Sequence, residues 1–312
     1  MKHVIFYICI FTSLLVKGQN VITEELSLSN GAISLPGTLS YPESNKKLPL
    51  VIFIHGSGNV DRNGNQKISV METKANYIKL LSDSLNTRGI AFYRYDKRTS
   101  VPENLKLMLN DLVFDDIVDD AKIVIDHFKN DKRFSSLILI GHSQGSLTAM
   151  LAKDKAVKKY ISLAGPAASI DVMLTNQMAK KSEAFGPIVQ AHFKELKETD
   201  TILKVNPYLV NLFIPKTFTF INSWMRYIPT EEIKNAKAST LIIQGDADIQ
   251  VTVKDAESLY KVKPDATLVI IKNMNHVLKE VHTEKENQES YYSANFALSS
   301  ELVETVAEFI KQ

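Results

Sequence analysis

Gly141-His142-Ser143-Gln144-Gly145 sits between two apolar runs, SSLILIG and SLTAML, with almost no loop to join them. A strand that turns at once into a helix holds the apical residue in a strained backbone conformation and lifts its side chain clear of the sheet. Small residues on both sides remove the atoms that would collide there. Ser143 is therefore the candidate nucleophile. The helix that follows aims its first N–H groups and the positive end of its dipole at the serine, where negative charge would develop in acyl transfer. A pattern with three fixed positions also arises by chance. The strand before and helix after are the context that separates the two readings, and both are present.

A serine hydroxyl needs a base, and around such a turn the partners follow in the chain order serine, acid, histidine. Asp246 and Asp248 stand at the end of the run TLIIQG, and His276 follows TLVIIK. The carboxyl ends of parallel strands open onto one crevice, which would gather these distant residues beside Ser143. Either aspartate could instead cap the next helix, and His282 competes with His276. His276 is preferred because it follows the strand end directly. HGSGN, residues 55–59, comes straight after the first buried run. Its glycines let the backbone approach a ligand, so the N–H groups of Ser57 and Gln144 are the candidate oxyanion donors; the plain alternative is a Gly-rich turn.

These residues need a scaffold, and the chain supplies alternating patterns. VITEELSLSNGAISLPGTLSYPE predicts two antiparallel strands around Asn30-Gly31. Leu48 to Ile54 is an unbroken apolar run, as a strand buried on both faces requires. Helices are expected over about 73–88, 110–129, 145–153, 253–262 and 299–310, with strands at IAFYRYD, SSLILIG, VKKYISLAG, TLIIQG and TLVIIK. Strands alternating with helices of this length mean parallel crossovers, hence an α/β class: a doubly wound, mostly parallel sheet with an N-terminal antiparallel hairpin. Residues 167–237 break the rhythm, with four prolines, many aromatic residues and no convincing strand. They read as a helical cap inserted between core segments 19–166 and 238–312.

Taken in order, HGSGNVDRNGN, YRYDKR, GHSQGS, SWMRYIPTEEI, QGDADIQVTVKDA and MNHVLK resemble a bacterial subgroup of α/β-hydrolase-fold esterases, many of them secreted. The similarity runs from about residue 27 to the C-terminus. It implies Ser143 as nucleophile, Asp248 as the acid, His276 as base, Ser57 and Gln144 as oxyanion donors, and no cofactor. Two positions depart from the pattern. Gln144 stands where an acidic residue is common, and Thr99 where a glycine commonly follows DKR. The expected activity is cleavage of carboxylic esters of small molecules through an acyl-enzyme. A peptidase of the same fold and a non-catalytic binding protein are the alternatives, the latter disfavoured by an intact set of three residues.

Residues 1–18, with a basic start and an apolar stretch from Val4 to Val16, read as a signal peptide too short to span a membrane comfortably. The expected location is therefore secreted or periplasmic, without stable membrane association once the signal is removed. Removal takes away Cys9, the only cysteine, so neither a disulfide nor a thiolate metal site is open to the mature chain. Without Lys2 and Lys17 the 37 basic side chains become 35, equal to the 35 acidic ones. No basic surplus recommends nucleic acid as a partner.

Asp61, Asn63, Asn65 and Glu72 have the spacing of a calcium loop, but Gln66 occupies the position that requires glycine. A polar loop folded over the oxyanion turn is the preferred reading. Asp111, Asp115, Asp116, Asp119 and Asp120 read as the solvated, dipole-complementing start of a helix rather than a metal site. Arg94, Asp96, Lys97 and Arg98 could bind an anionic substrate or form an internal ion-pair network. Phe213, Phe218, Phe220, Trp224, Met225 and Tyr227 could line an acyl pocket or form the cap's own core.

Overall fold

The computed structural model describes residues 20–68, 71–108 and 112–312. The expected signal peptide, Cys9 and Asp111 lie outside these residues. Strands β1 (Val21–Asn30) and β2 (Ile33–Pro42) form the expected hairpin, with Gly31 at φ 59° in the turn. There follow β3 (Leu48–Ile54), β4 (Gln66–Ile68), β5 (Met71–Thr73), α1 (Tyr77–Asn86), β6 (Ala91–Tyr95), α2 (Pro102–Leu105), α3 (Phe114–Phe128), β7 (Phe134–His142), α4 (Gln144–Leu151) and β8 (Val157–Leu163). Residues 167–237 contain α5 (Ile170–Lys181), α6 (Phe185–Thr199), α7 (Phe218–Met225) and α8 (Pro229–Glu232), with short 3-10 turns and no strand. The chain then returns to β9 (Ser239–Gly245), α9 (Val253–Val262), β10 (Thr267–Ile271), α10 (Glu284–Glu289) and α11 (Ser300–Lys311).

Eight strands form one sheet in the order β1-β2-β6-β3-β7-β8-β9-β10. β2 runs antiparallel to both neighbours, and every pairing from β6 to β10 is parallel. This is the doubly wound α/β-hydrolase architecture that the sequence predicts. Alternation along β3 shows why its apolar run is unbroken. Leu50, Ile52 and Ile54 pack with α3, α4 and the cap, while Val51 and Phe53 pack with α1 and α11. Burying each such side chain stabilises the fold by ~1.5–3 kcal/mol, and truncating Phe53 to alanine would cost about 3–5 kcal/mol.

Two expected elements differ. Residues 73–76 do not begin α1: β4 and β5 form a separate antiparallel hairpin there, in which Thr73 Oγ1 accepts the Gln66 N–H at 2.8 Å. The helix waits until Tyr77 because Asn76 holds a left-handed φ of 49°. Helix α3 begins at Phe114 rather than near residue 110, because the Asp116 carboxylate accepts the Val113 N–H at 2.9 Å and closes the first turn.

Candidate active site

Ser143 joins β7 to α4 at φ 54° and ψ −122°, a combination that costs energy for a residue with a Cβ and that marks a functional turn. The backbone pins it there: Ser143 N–H donates to Leu163 O, and Ser146 N–H donates to Ser143 O, both at 2.9 Å. The flanking glycines are required by contact. A Cβ on Gly145 would lie 2.1 Å from Ile54 O, and one on Gly141 would lie 2.3 Å from Gly145 O. The first turn of α4 is thus pressed against the end of β3.

At the end of β9, Asp248 is buried and receives four hydrogen bonds. Its Oδ1 accepts the N–H groups of Gln250 at 2.7 Å and Val251 at 3.0 Å. Its Oδ2 accepts Gln244 Nε2 at 3.0 Å and His276 Nδ1 at 2.7 Å. Burial raises the carboxyl, but the His276 ring and the two backbone donors outweigh it and hold Asp248 below the ordinary carboxylate range. The ion stays charged and fixes the ring tautomer that leaves His276 Nε2 free to act as a base. Ser143 and His276 line one cavity of about 90 Å³ together with Gly56, Ser57, Gln66 and Thr73. Among the described residues no direct hydrogen bond joins the serine hydroxyl to the ring; catalytic hydrogen bonds of this kind are often long until a substrate is bound.

The alternatives are placed elsewhere. Asp246 accepts the Asn273 N–H at 2.6 Å, whereas the imidazole is bonded to Asp248. His282 is exposed, 3.5 Å from Glu280. The loop after β3 does reach Ser143, since a Cβ on Gly56 would lie 3.2 Å from Ser143 Cβ. Ser57 is exposed to the cavity side, and Gln144 is the first residue of α4, whose N–H has no partner within the helix.

Several residues that position the site were not singled out from sequence. His142 is buried, and its Nε2–H donates to His276 O at 2.8 Å, tying the histidine loop to the nucleophile turn. Burial pushes its ring down to about 3, with the neighbouring His276 adding to the effect, so it stays neutral. His55 Nε2–H donates to Tyr95 O, and burial with Lys97 nearby pushes that ring down to about 4. Gln244 holds Asp248 from behind. From sequence only the place of His55 and His142 within the HGSGN and GHSQG turns is legible.

The polar cluster at the end of β6 is an internal network. Arg62 pairs with Asp96 at 2.7 Å, Arg98 with Asp120 at 2.6 Å, and Arg94 donates to Asn63 Oδ1 at 2.6 Å. Asp120 is consequently 2% exposed, which corrects the reading of this acidic stretch as a solvated face. Asp115, by contrast, stays half-exposed and pairs with Arg226 at 2.7 Å. In the calcium-like stretch, Asp61 Oδ1 accepts the N–H groups of Asn63 and Asn65, so its carboxylate closes a turn. The aromatic residues of 167–237 pack into the main hydrophobic cluster: Trp224 stacks on Phe114 of α3 at 5.3 Å, and none of Phe213, Phe218, Phe220, Trp224 and Tyr227 lines the cavity.

Comparison with known proteins places this geometry among hydrolases. Over 258 residues the chain is 26% identical to esterase EstD of Thermotoga maritima, covering 78% of this chain and 58% of that protein. The chain thus spans less than two thirds of that relative's length. Est1E from Butyrivibrio proteoclasticus shares the fold at a TM-score of 0.58 and 19% identity, covering 92% of this chain and 97% of that one. The Pyrococcus furiosus esterase Pf2001 shares it at a TM-score of 0.60 and 15% identity, covering 93% and 91%. The family described as serine aminopeptidase, S33, matches residues 70–286, from the β4–β5 hairpin past the histidine loop, and the chain belongs to that family.

Proposed function

We propose that this protein is a serine hydrolase that cleaves carboxylic esters of small molecules through an acyl-enzyme. The observation that carries the reading is the buried Asp248–His276 pair, 2.7 Å apart, opening onto the same cavity as a strained serine. His276 takes the Ser143 proton as the hydroxyl attacks the ester carbonyl. Asp248 holds the imidazolium, and the Ser57 and Gln144 N–H groups receive the oxyanion. The protonated His276 then delivers its proton to the leaving alcohol, and water releases the acyl group by the same steps in reverse.

The family description gives a second reading, an aminopeptidase. Such an enzyme anchors a substrate ammonium, usually with a carboxylate, whereas the described residues lining the cavity carry none. Esters are therefore favoured over N-terminal amides. Purified protein assayed on 4-nitrophenyl acetate and on aminoacyl-4-nitroanilides separates the two, and the ester is expected to be turned over at least tenfold faster. Labelling of Ser143 by a fluorophosphonate is expected as well; an unlabelled protein would be a binding protein instead.

The N-terminal stretch supports secretion or retention in the periplasm as the working location. Among the described residues no helix is long and apolar enough to cross a membrane. Sequencing the N-terminus of the protein recovered from cell fractions tests it, with cleavage near residue 18 expected.

A further inference from the structure

Lys97, just beyond β6, is 4% exposed, yet its amine meets no carboxylate among the described residues. Its neighbours are paired off, Asp96 with Arg62 and Arg98 with Asp120. Lys97 Nζ donates instead to two neutral oxygens, Gly56 O at 2.7 Å and Gln144 Oε1 at 2.6 Å. Both belong to the machinery around the oxyanion. The Gly56 carbonyl and the Ser57 N–H are two ends of one peptide group. An ammonium bonded to that oxygen polarises the amide and makes the N–H a stronger donor. Gln144 carries the other donor on its own backbone. One amine therefore bridges the loop after β3 and the turn between β7 and α4.

We propose that Lys97 is the positioning residue of the oxyanion site, clamping the Ser57 and Gln144 donors at a fixed spacing and setting a positive charge behind them. The proposal rests on the ester-hydrolase reading. Gln144 suits this arrangement. A carboxylate at the same place would accept the same hydrogen bond but offset the charge that the developing oxyanion feels.

The titratable groups that act on the amine through space are His55 after β3 and Asp120 from α3, and its chain neighbours are Asp96 and Arg98. His55 is neutral, being pushed down to about 4, and burial pushes the Tyr95 hydroxyl up. Asp96 and Asp120 are held by arginines. Burial lowers Lys97 to about 7, with Asp120 opposing. The cation is present below that pH and is lost above it, while a neutral amine can keep both hydrogen bonds.

The test is the pH profile of 4-nitrophenyl acetate hydrolysis between pH 5.5 and 9, for the wild type and the variants Ser143→Ala, Lys97→Met and Gln144→Glu. Wild-type kcat is expected to fall as pH rises through about 7. Lys97→Met should lower kcat ~10- to 100-fold, with KM within about twofold, and abolish the alkaline fall. Gln144→Glu should move that fall upward by about one pH unit, because a carboxylate favours the ammonium; this variant decides if Lys97→Met does not fold. A Ser143-dependent wild type whose kcat and alkaline limb survive Lys97→Met, or Gln144→Glu, unchanged overturns the proposal alone. Wild-type protein without esterase activity, or a rate that persists in Ser143→Ala, overturns the underlying reading and the proposal with it.

Discussion

The Asp248 carboxylate has every lone pair engaged, and only one of its four partners is the His276 ring. Its other three bonds, from Gln244, Gln250 and Val251, fix where the fourth points. Asp248→Asn keeps the size but presents an amide that cannot stabilise the imidazolium and favours the wrong tautomer. A loss of about 10³- to 10⁴-fold in kcat is expected, with little change in KM, in steady-state ester hydrolysis. Exchanging the histidines discriminates more sharply: His276→Ala should reduce turnover to near background, and His282→Ala should leave kcat within about twofold of wild type. The reverse pattern would reassign the base. That Ser143 and His276 face one cavity was legible because Ser143 ends the buried run of β7, His276 comes a few residues past β10, and strand ends of a parallel sheet converge. The choice of Asp248 over Asp246 needed the resemblance, since both aspartates fall just past the strand end and spacing alone does not separate them. His142 as the clamp on the histidine loop was not legible, because its partner is 134 residues away and is a backbone carbonyl, which no residue type announces.

Between residues and whole chain, the segment that shapes the cavity is the β4–β5 hairpin, not the helical insertion. Gln66 and Thr73 face the space beside Ser143, while Phe213, Phe218 and Trp224 are buried against the cap and α3. Three-residue strands carry too little period to read, and this hairpin depends on Thr73 Oγ1 completing the ladder at Gln66. The long alternation of strands and helices was readable for the opposite reason, since each element buries a whole face. The cavity is small, about 90 Å³, which suits short acyl groups. Across an ester series from acetyl to octanoyl, kcat/KM should decline with length, and Gln66→Ala combined with Thr73→Ala should shift the optimum toward longer chains. An unshifted optimum would remove the hairpin from the acyl site. Trp224→Ala addresses the other element. It should cost about 3–5 kcal/mol of stability by denaturant unfolding, as truncation of a buried, stacked indole does, while leaving the acyl-length preference where it was.

Among the described residues, the buried His55, His142, Lys97 and Lys279 push stability the same way as pH rises through the range in which they titrate. His55 and His142 protonate in the folded chain only at about 4 and about 3, whereas an unfolded histidine does so near ~6.5. Between those values the unfolded chain binds more protons, so stability is full above ~6.5 and is lost as pH falls toward the folded values. Lys97 and Lys279, lowered by burial to about 7 and about 8, stand against ~10.4 for an unfolded lysine. Their contribution has the same sign in a higher window, growing as pH climbs from the folded value toward the unfolded one. Asp248, held below its ordinary range, adds to acid lability as pH falls through its folded value. Asp120, which burial raises, acts oppositely but only in the carboxylate range. A tenfold difference in proton affinity between folded and unfolded chain corresponds to ~1.4 kcal/mol, large against a net stability of ~5–15 kcal/mol. The thermal midpoint followed by circular dichroism should therefore climb steadily from pH 5 to 8.5, instead of peaking near neutrality. Lys279→Met removes one lysine from that balance without touching the cavity, and should flatten the climb above about pH 8. A wild-type midpoint that stays level or drops across this range would mean that these buried groups take up protons in the folded chain as readily as in the unfolded one.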